Sequence, residues 1–501
     1  MKETMPLGRL TRWLRSVGRP RLADHVRALH HVHSFERHFI ATVLPTRRAA
    51  RSRLPPHIFE QAVAAGVLVP LPRRCRPIIS APLKAVPDRK DPSVGRLILP
   101  ACRLNDSCVP PDPCPIPHLP HMIARILEND YIVTADLRSW FFSFSIGRDV
   151  ADKYFATRGP DGRFYAHVRG AMGWCAMPYI ACSVAEAIVQ AAARSHFAFA
   201  WIDDLSIATR SEAAAIVASR RLERLARFLG AELRDLSAPS RSAVIVGVQV
   251  DLAVKAWRLA PQWATKFSEF WASIADEARV PARVAWRAAG YIAWATYALQ
   301  LPLALTAAGS RMAMETLSEE PTALVDFRAI SRAFGQLASV IRANPWRRMA
   351  APPTRTLVTD ASPFGLGALV DGRQLGVPIR HLEHINALEV AAIAFAIRRS
   401  GARSQTVDVI VDNRVVFYCV PRWRSLGAGQ LHNRICELMR LCMRRKISLR
   451  MGWIPTEVMA ACGADAASRG SRITSTDVSS CSEHAEWQSA ALVEPLLSLT
   501  F

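Results

Sequence analysis

The chain has 501 residues, with 64 Lys and Arg against 42 Asp and Glu, a formal net charge of +22 and a pI near 10.3. Its eleven cysteines include no CxxC pair, which excludes a zinc knuckle or finger, and the Arg-studded first 30 residues contain no apolar core of secretory type. What remains is a chain of about two to four domains with reduced, intracellular thiols, cytoplasmic or nuclear; its charge suggests a polyanionic partner, most simply nucleic acid, unless a genomic bias towards Arg produces it.

Residues 1–55 read as a basic, irregular arm. His30, His31, His33 and His38 lie close together there and could bind a metal, but a solvated arm is the simpler reading. A helix is expected from Pro56 to Ala65. Residues 67–105 read as strands broken by proline, with the charged loop Asp88-Arg89-Lys90-Asp91 between them and Arg96 opening a strand. Such a loop could hold a triphosphate or be a solvated hairpin tip. Prolines between 110 and 120 mark a boundary, and His121 to Glu128 looks helical.

An apolar strand then leads into Asp136, followed by Phe141-Phe142. Gly159-Pro160-Asp161-Gly162 joins two aromatic strands as a hairpin. The stretch Gly170-Ala171-Met172-Gly173-Trp174-Cys175-Ala176-Met177-Pro178 precedes a small-residue helix from Tyr179 to Ser195. Its glycines allow close backbone approach to a base pair or phosphate, or simply cap the helix. Residues 197–210 alternate up to Trp201, turn at Asp203-Asp204 and resume as a strand. Alone, an Asp-Asp turn is only a turn. If this hairpin lies beside the Asp136 strand, the carboxylates can face one point and suit Mg²⁺, which takes hard oxygen ligands.

Ser211 to Gly230 reads as a basic amphipathic helix, and residues 242–252 as a strand bent at Gly247. The segment from Trp257, which leads into helices up to about residue 344, carries Trp257, Trp263, Trp271, Trp286 and Trp294. Aromatic and basic residues there suit a nucleic-acid track, with most of the tryptophans in the core. Ala288 to Gly309 has no charged residue and is long enough to span a bilayer, but Gln300 and Pro302 interrupt it, so a buried helix pair is expected.

A proline-rich basic linker at 345–355 introduces a second α/β unit. Asp360 ends a strand, Glu389 lies inside an apolar helix, Asp412 ends another strand and Asp465 opens a short helix. An acid within a helix so apolar is costly unless it is paired or metal-bound.

These residues resemble a known family. Asp136 to Phe141, Gly173 to Pro178 and Trp201 to Asp204 are similar to motifs A, B and C of retroelement reverse transcriptases. The "TDAS", "VDN" and "ADAASR" segments resemble the ribonuclease H domain fused behind them in gypsy-like and DIRS-like retrotransposons and pararetroviruses. The likeness covers about residues 67–470. It implies a right-hand polymerase of α/β (α+β) class with fingers and palm at 56–255, thumb and connection helices at 256–344, the linker, a ribonuclease H-like domain at 356–472 and a tail at 473–501. The activity implied is RNA-directed DNA polymerisation with cleavage of RNA in hybrids. The partners implied are an RNA template, a DNA primer, RNA-DNA hybrid and dNTPs, without a membrane.

By the same resemblance, Asp136 and Asp203 would bind two Mg²⁺ (Mn²⁺ as a substitute) with Asp204 assisting. Phe141 would be the steric gate against a ribose 2′-hydroxyl. Arg96 would pack on the incoming nucleotide, Arg89 or Lys90 would touch its triphosphate, and Met172 and Gly173 would border it. Trp174, Pro178, Trp201 and Gly247 would line template and primer. Asp360, Glu389, Asp412 and Asp465 would hold two further Mg²⁺. The sequence departs from the family pattern at Trp201, Met172, Pro100 and Glu457, where relatives carry other residues. No protease, integrase or recombinase signature is present, so a polymerase piece of a larger element, or an element lacking those parts, is expected. The rival expectations are a decayed or domesticated nucleic-acid-binding protein, and a nuclease that uses only the second domain.

Overall fold

The computed structural model describes residues 4–46, 51–87, 95–301, 306–348, 353–379, 381, 383–423, 425, 429–471 and 478–487. The chain divides into two units: residues 1–118 with 128–243, and residues 119–127 with 244–501.

The first unit carries a four-stranded antiparallel sheet in the order Phe197–Trp201, Asp204–Thr209, Tyr131–Leu137, Leu233–Arg234. Its β-branched and aromatic strands turn tightly at Ile202, which takes a positive φ of 62°. Two helices, Ala176–Ala193 and Glu212–Leu229, pack against it. Ser211 caps the second by accepting from the Ala214 amide at 3.3 Å, and Gly230 ends it in the left-handed conformation. Ala176–Ala193 is apolar nearly all round. Among the described residues it is the one helix long and apolar enough to cross a membrane, and 67% of it is buried inside the structure. A three-stranded sheet of Leu68–Pro70, Phe164–His167 and Ala156–Arg158 includes the expected hairpin at 159–162. Gly95–Ile98 pairs with Lys84–Pro87.

Two expectations for this unit need correction. The N-terminal arm is helical, not irregular: Leu7–Ser16, Pro20–Ala28 and Val32–Phe39 are helices. Leu10, Leu14, Leu22, Val26, Phe35 and Phe39 recur at helical spacing and are buried, so the arginines between them, with His31 and His33, occupy the outer faces, while His25 packs half-buried against Phe39 and Tyr179. Residues 102–105, expected within a stretch of strands, lie in a short helix, Cys102–Ser107. The run Cys-Arg-Leu-Asn-Asp-Ser has no β-branched residue to favour extension.

The second unit begins at a bend where Gly247 takes φ +76° and a Cβ would meet the Trp294 ring at 2.9 Å. Strands Val248–Asp251, Ala256–Leu259 and Arg347–Arg348 pair antiparallel, beside helices Pro261–Ala272, Ala282–Ala298, Ala307–Glu315 and Arg328–Ala343. Trp257 and Trp271 are core residues, and Trp263 packs on Trp294 with ring centroids 4.7 Å apart. The uncharged stretch from Ala288 is accordingly a pair of helices, with residues 302–305 outside the described residues.

A six-stranded mixed sheet follows in the order Arg373–Pro378, Gly365–Val370, Arg355–Ala361, Thr406–Val411, Ser448–Trp453, Glu486–Trp487. The 355–361, 406–411 and 448–453 strands run parallel. The middle one is buried throughout, as a parallel strand covered on both faces must be. Helices Ile385–Ser400 and Gln430–Arg445 pack against each other, and the first of them also packs on the sheet. Not all thiols are reduced as expected. Cys462, after helix Thr456–Ala461, and Cys481, in helix Val478–Glu483, are disulfide-bonded because the fold brings their Cα atoms to 6.6 Å.

Candidate functional site

The first acid cluster arises from strand register. Asp136 lies opposite Asp204 in the sheet, and the hairpin turn places Asp203 next to both. The Leu137 amide donates to the Asp203 carbonyl at 2.9 Å, which ties the turn to the Asp136 strand. Carboxylate oxygens of Asp136, Asp203 and Asp204 lie within 4.8 Å of one another. Desolvation comes first in pushing the Asp204 carboxyl up to about 6, although the residue as a whole is exposed, and Asp203 and Asp136 add repulsion that Arg234 opposes. Arg234 reaches Asp136 at 2.8 Å from the neighbouring strand.

The second cluster joins a strand, a helix and a strand end. Oxygens of Asp360, Glu389 and Asp412 also lie within 4.8 Å of one another. Asp360 is 5% and Glu389 3% exposed. Burial, then Asp360 and Asp412, push Glu389 up to about 9. Burial likewise raises Asp360 to about 6, with Ser468 opposing it, and raises Asp412, with Thr456 opposing it. Asp360 Oδ2 and Glu389 Oε2 are buried with no hydrogen-bond partner. Asp465 stands near enough to raise Asp360 and Asp412, but it lies outside the close trio and pairs with Arg469 at 2.8 Å.

Both clusters could hold metal ions. They offer hard oxygen donors, the second leaves two buried oxygens unsatisfied, and a buried carboxylate group of this kind is stabilised by a divalent cation.

The other expected residues fall in several places. Phe141 is half-buried in the turn Trp140–Ser143, anchored by the Trp140 indole, which donates to the Ala181 carbonyl at 2.9 Å. Met172 and Pro178 are half-buried, as is Trp201 opposite Asp204. Gly173 has φ +108°, and a Cβ there would collide with the Leu99 carbonyl oxygen. Close backbone packing therefore accounts for this glycine. Trp174, expected at the template, is a core residue. It is fully buried against Phe35, Phe39 and Phe155, with centroids 5.5, 5.1 and 5.2 Å away. Gly247 sits under Trp294 in the second unit. Arg89 and Lys90 lie outside the described residues. Arg96 is in a strand opposite Val86, and its side chain lies outside them.

Sequence reasoning missed Arg234, Ser468 and Thr456. Arg469 was legible as the residue four after Asp465 in a helical run.

Three solved structures share this architecture. The foamy viral protease-reverse transcriptase dRH, in complex with double-stranded DNA, matches with a TM-score of 0.51 at 15% identity over 83% of this chain and 73% of that one. The foamy viral protease-reverse transcriptase with RNA/DNA hybrid gives 0.50 at 12%, over 83% and 56%. The same enzyme with double-stranded DNA gives 0.50 at 14%, over 83% and 87%. The chain has a reverse transcriptase-like fold. No protein-family model and no curated protein sequence matches it.

Proposed function

We propose that the chain is an RNA-directed DNA polymerase of a retroelement with a ribonuclease H activity. In this reading residues 56–255 are fingers and palm, 256–344 thumb and connection, and 356–472 a ribonuclease H-like domain. The observation that carries the reading is the pair of carboxylate trios, one in each unit of a strongly basic chain with a reverse transcriptase-like fold.

Asp136 and Asp203 would hold Mg²⁺ in the first site, with Asp204 beside them, and Asp360, Glu389 and Asp412 would hold it in the second, with Asp465 joining. Bound divalent ions supply positive charge at the attacking and leaving oxygens of an in-line phosphoryl displacement. The chain's own part is positioning. The sheet register brings Asp136 to the Asp203-Asp204 turn, and Arg234 steadies Asp136 from the adjacent strand. Phe141 stands after Asp136, where an aromatic ring excludes a ribose 2′-hydroxyl. The excess of Arg neutralises the phosphates of template, primer and hybrid. Burial raises the Glu389 and Asp360 carboxyls, so a cation that bound there would displace protons.

The test is dNTP incorporation on a primed RNA template with Mg²⁺, beside Asp203→Asn. The wild type incorporates, and the variant loses several orders of magnitude, of the order of 10³-fold or more, because a ligand to the transition-state charge is gone. Near-normal incorporation by the variant sinks the assignment. Salt-sensitive hybrid binding without incorporation in either protein would favour a decayed binder.

A further inference from the structure

Cysteine faces cysteine along helix Ala176–Ala193. Cys175 and Cys182 are two helical turns apart and so share a face. The Cys108 thiol meets the Cys175 thiol, and the Cys114 thiol meets that of Cys182. All four are free. The two pairs differ in access: Cys108 and Cys175 are half-buried, whereas Cys182 is buried.

Asn105 holds the first pair together. Its Oδ1 accepts from the Cys175 amide at 2.9 Å, its Nδ2 donates to the Gly173 carbonyl at 2.9 Å, and its own carbonyl accepts from the Cys108 amide at 3.1 Å. The Trp174 indole donates to Cys108 Sγ at 3.4 Å. One side chain thus locks the two cysteine-bearing segments together, and the sulfurs meet between them.

We propose that Cys108 and Cys175 form a reversibly oxidisable dithiol, with Cys175 the sulfur that attacks a peroxide and Cys108 the sulfur that resolves it. The Cys175 thiolate attacks the O–O bond of hydrogen peroxide. An S–O bond forms, the O–O bond breaks, hydroxide leaves, and the sulfur loses two electrons to become a sulfenic acid. The Cys108 sulfur then displaces that oxygen. The S–S bond forms, the S–O bond breaks, and the departing hydroxide takes the Cys108 proton and leaves as water. The bond would fasten residues 173–175 to the helix Cys102–Ser107.

The division of labour follows from the surroundings. The Cys108 thiol, then the amides of Cys175 and Ala176 at the head of the helix, push Cys175 down to about 7, against its partial burial. Cys108 moves in the opposite direction, raised first by its bond to Cys175 and then by burial, with Trp174 opposing. A larger share of Cys175 than of a free cysteine is then thiolate at neutral pH.

The test treats the full-length protein with hydrogen peroxide, blocks remaining thiols in acid and maps the peptides by mass spectrometry. The expected product is a Cys108–Cys175 cross-linked peptide pair that dithiothreitol reverses. Cys108→Ser should instead accumulate a dimedone-trappable sulfenic acid at Cys175, and Cys175→Ser should leave Cys108 reduced. Alkylation of Cys175 in the untreated protein should rise through an inflection at lower pH than that of free cysteine, the lower nucleophilicity of a weaker base offsetting part of the gain in thiolate. Circular dichroism confirms that each variant folds. The proposal is overturned if Cys175 stays reduced while other thiols oxidise, if the wild type stops at the sulfenic acid, or if Cys108 oxidises equally well in Cys175→Ser.

Discussion

Glu389→Gln tests the energetics of the second cluster. Glu389 is 3% exposed, and burial with two neighbouring aspartates moves its carboxyl from 4.5 to about 9. Between those values the native state holds a proton that the unfolded chain has released, so stability falls as pH rises from 4.5 towards 9. At pH 7 the gap of ~2.5 units costs about 3 kcal/mol at ~1.4 kcal/mol per unit, and at pH 5 the cost shrinks to about 1 kcal/mol or less. Gln keeps the shape and an oxygen to accept the bond that Ala361 donates, but it never ionises. Hydrogen exchange in helix Ile385–Ser400, followed without divalent cation, should therefore slow about a hundredfold in the variant at pH 7 and only a few-fold at pH 5. Millimolar Mg²⁺ should protect the wild-type helix and not the variant. Equal exchange at both pH values, or faster exchange in the variant, would refute the argument that this carboxyl is held against its preference.

Three other changes follow from the packing. Trp174→Ala should cost about 3–5 kcal/mol of stability, because it empties an aromatic cluster, while hybrid affinity of the folded fraction stays unchanged; lost affinity at full stability would return Trp174 to the template. Gly173→Ala forces φ +108° on a residue with a Cβ and drives that Cβ against Leu99, so a loss of about 2–4 kcal/mol is expected in urea unfolding; an unchanged midpoint would contradict the backbone geometry. Asp408→Asn leaves Arg450 facing a neutral partner at a site where Asp408 is 4% exposed and bonded at 2.7 Å, and, with Arg450 itself about a third exposed, should cost about 1–3 kcal/mol in the same assay; a loss below ~0.5 kcal/mol would show the pair to be solvated.

The two acid clusters could be read from sequence because the pattern is local: an apolar run ending in a carboxylate, or a lone Glu among alanines and isoleucines, announces an unusual cost. The relation between Asp136 and Arg234 was hidden, since only the pairing of two strands nearly a hundred residues apart creates it. The N-terminal helices were missed for a different reason. Their apolar positions recur at helical spacing, but arginine and histidine dominate the composition and read as a solvated arm. Trp174 misled in the opposite sense. The resemblance placed it at the template, and its burial depends on Phe35 and Phe39, which lie far upstream. Asp465 illustrates a limit of spacing: its place in the order of acids was clear, and its partnership with Arg469 keeps it apart from the trio.

The aromatic cluster around Trp174 sets an order on the birth of the protein. Phe35 and Phe39 leave the ribosome early, and their partner Trp174 follows about seven to thirty seconds later at ~5–20 residues per second. Arg9, whose guanidinium donates to the Phe228 carbonyl at 2.7 Å, waits longer still. During that interval the first three helices can bury their leucines and phenylalanines only against one another. The nascent chain is therefore a natural client for holding chaperones, and slowing translation between codons 40 and 174 should lower the soluble yield more than slowing it after codon 243.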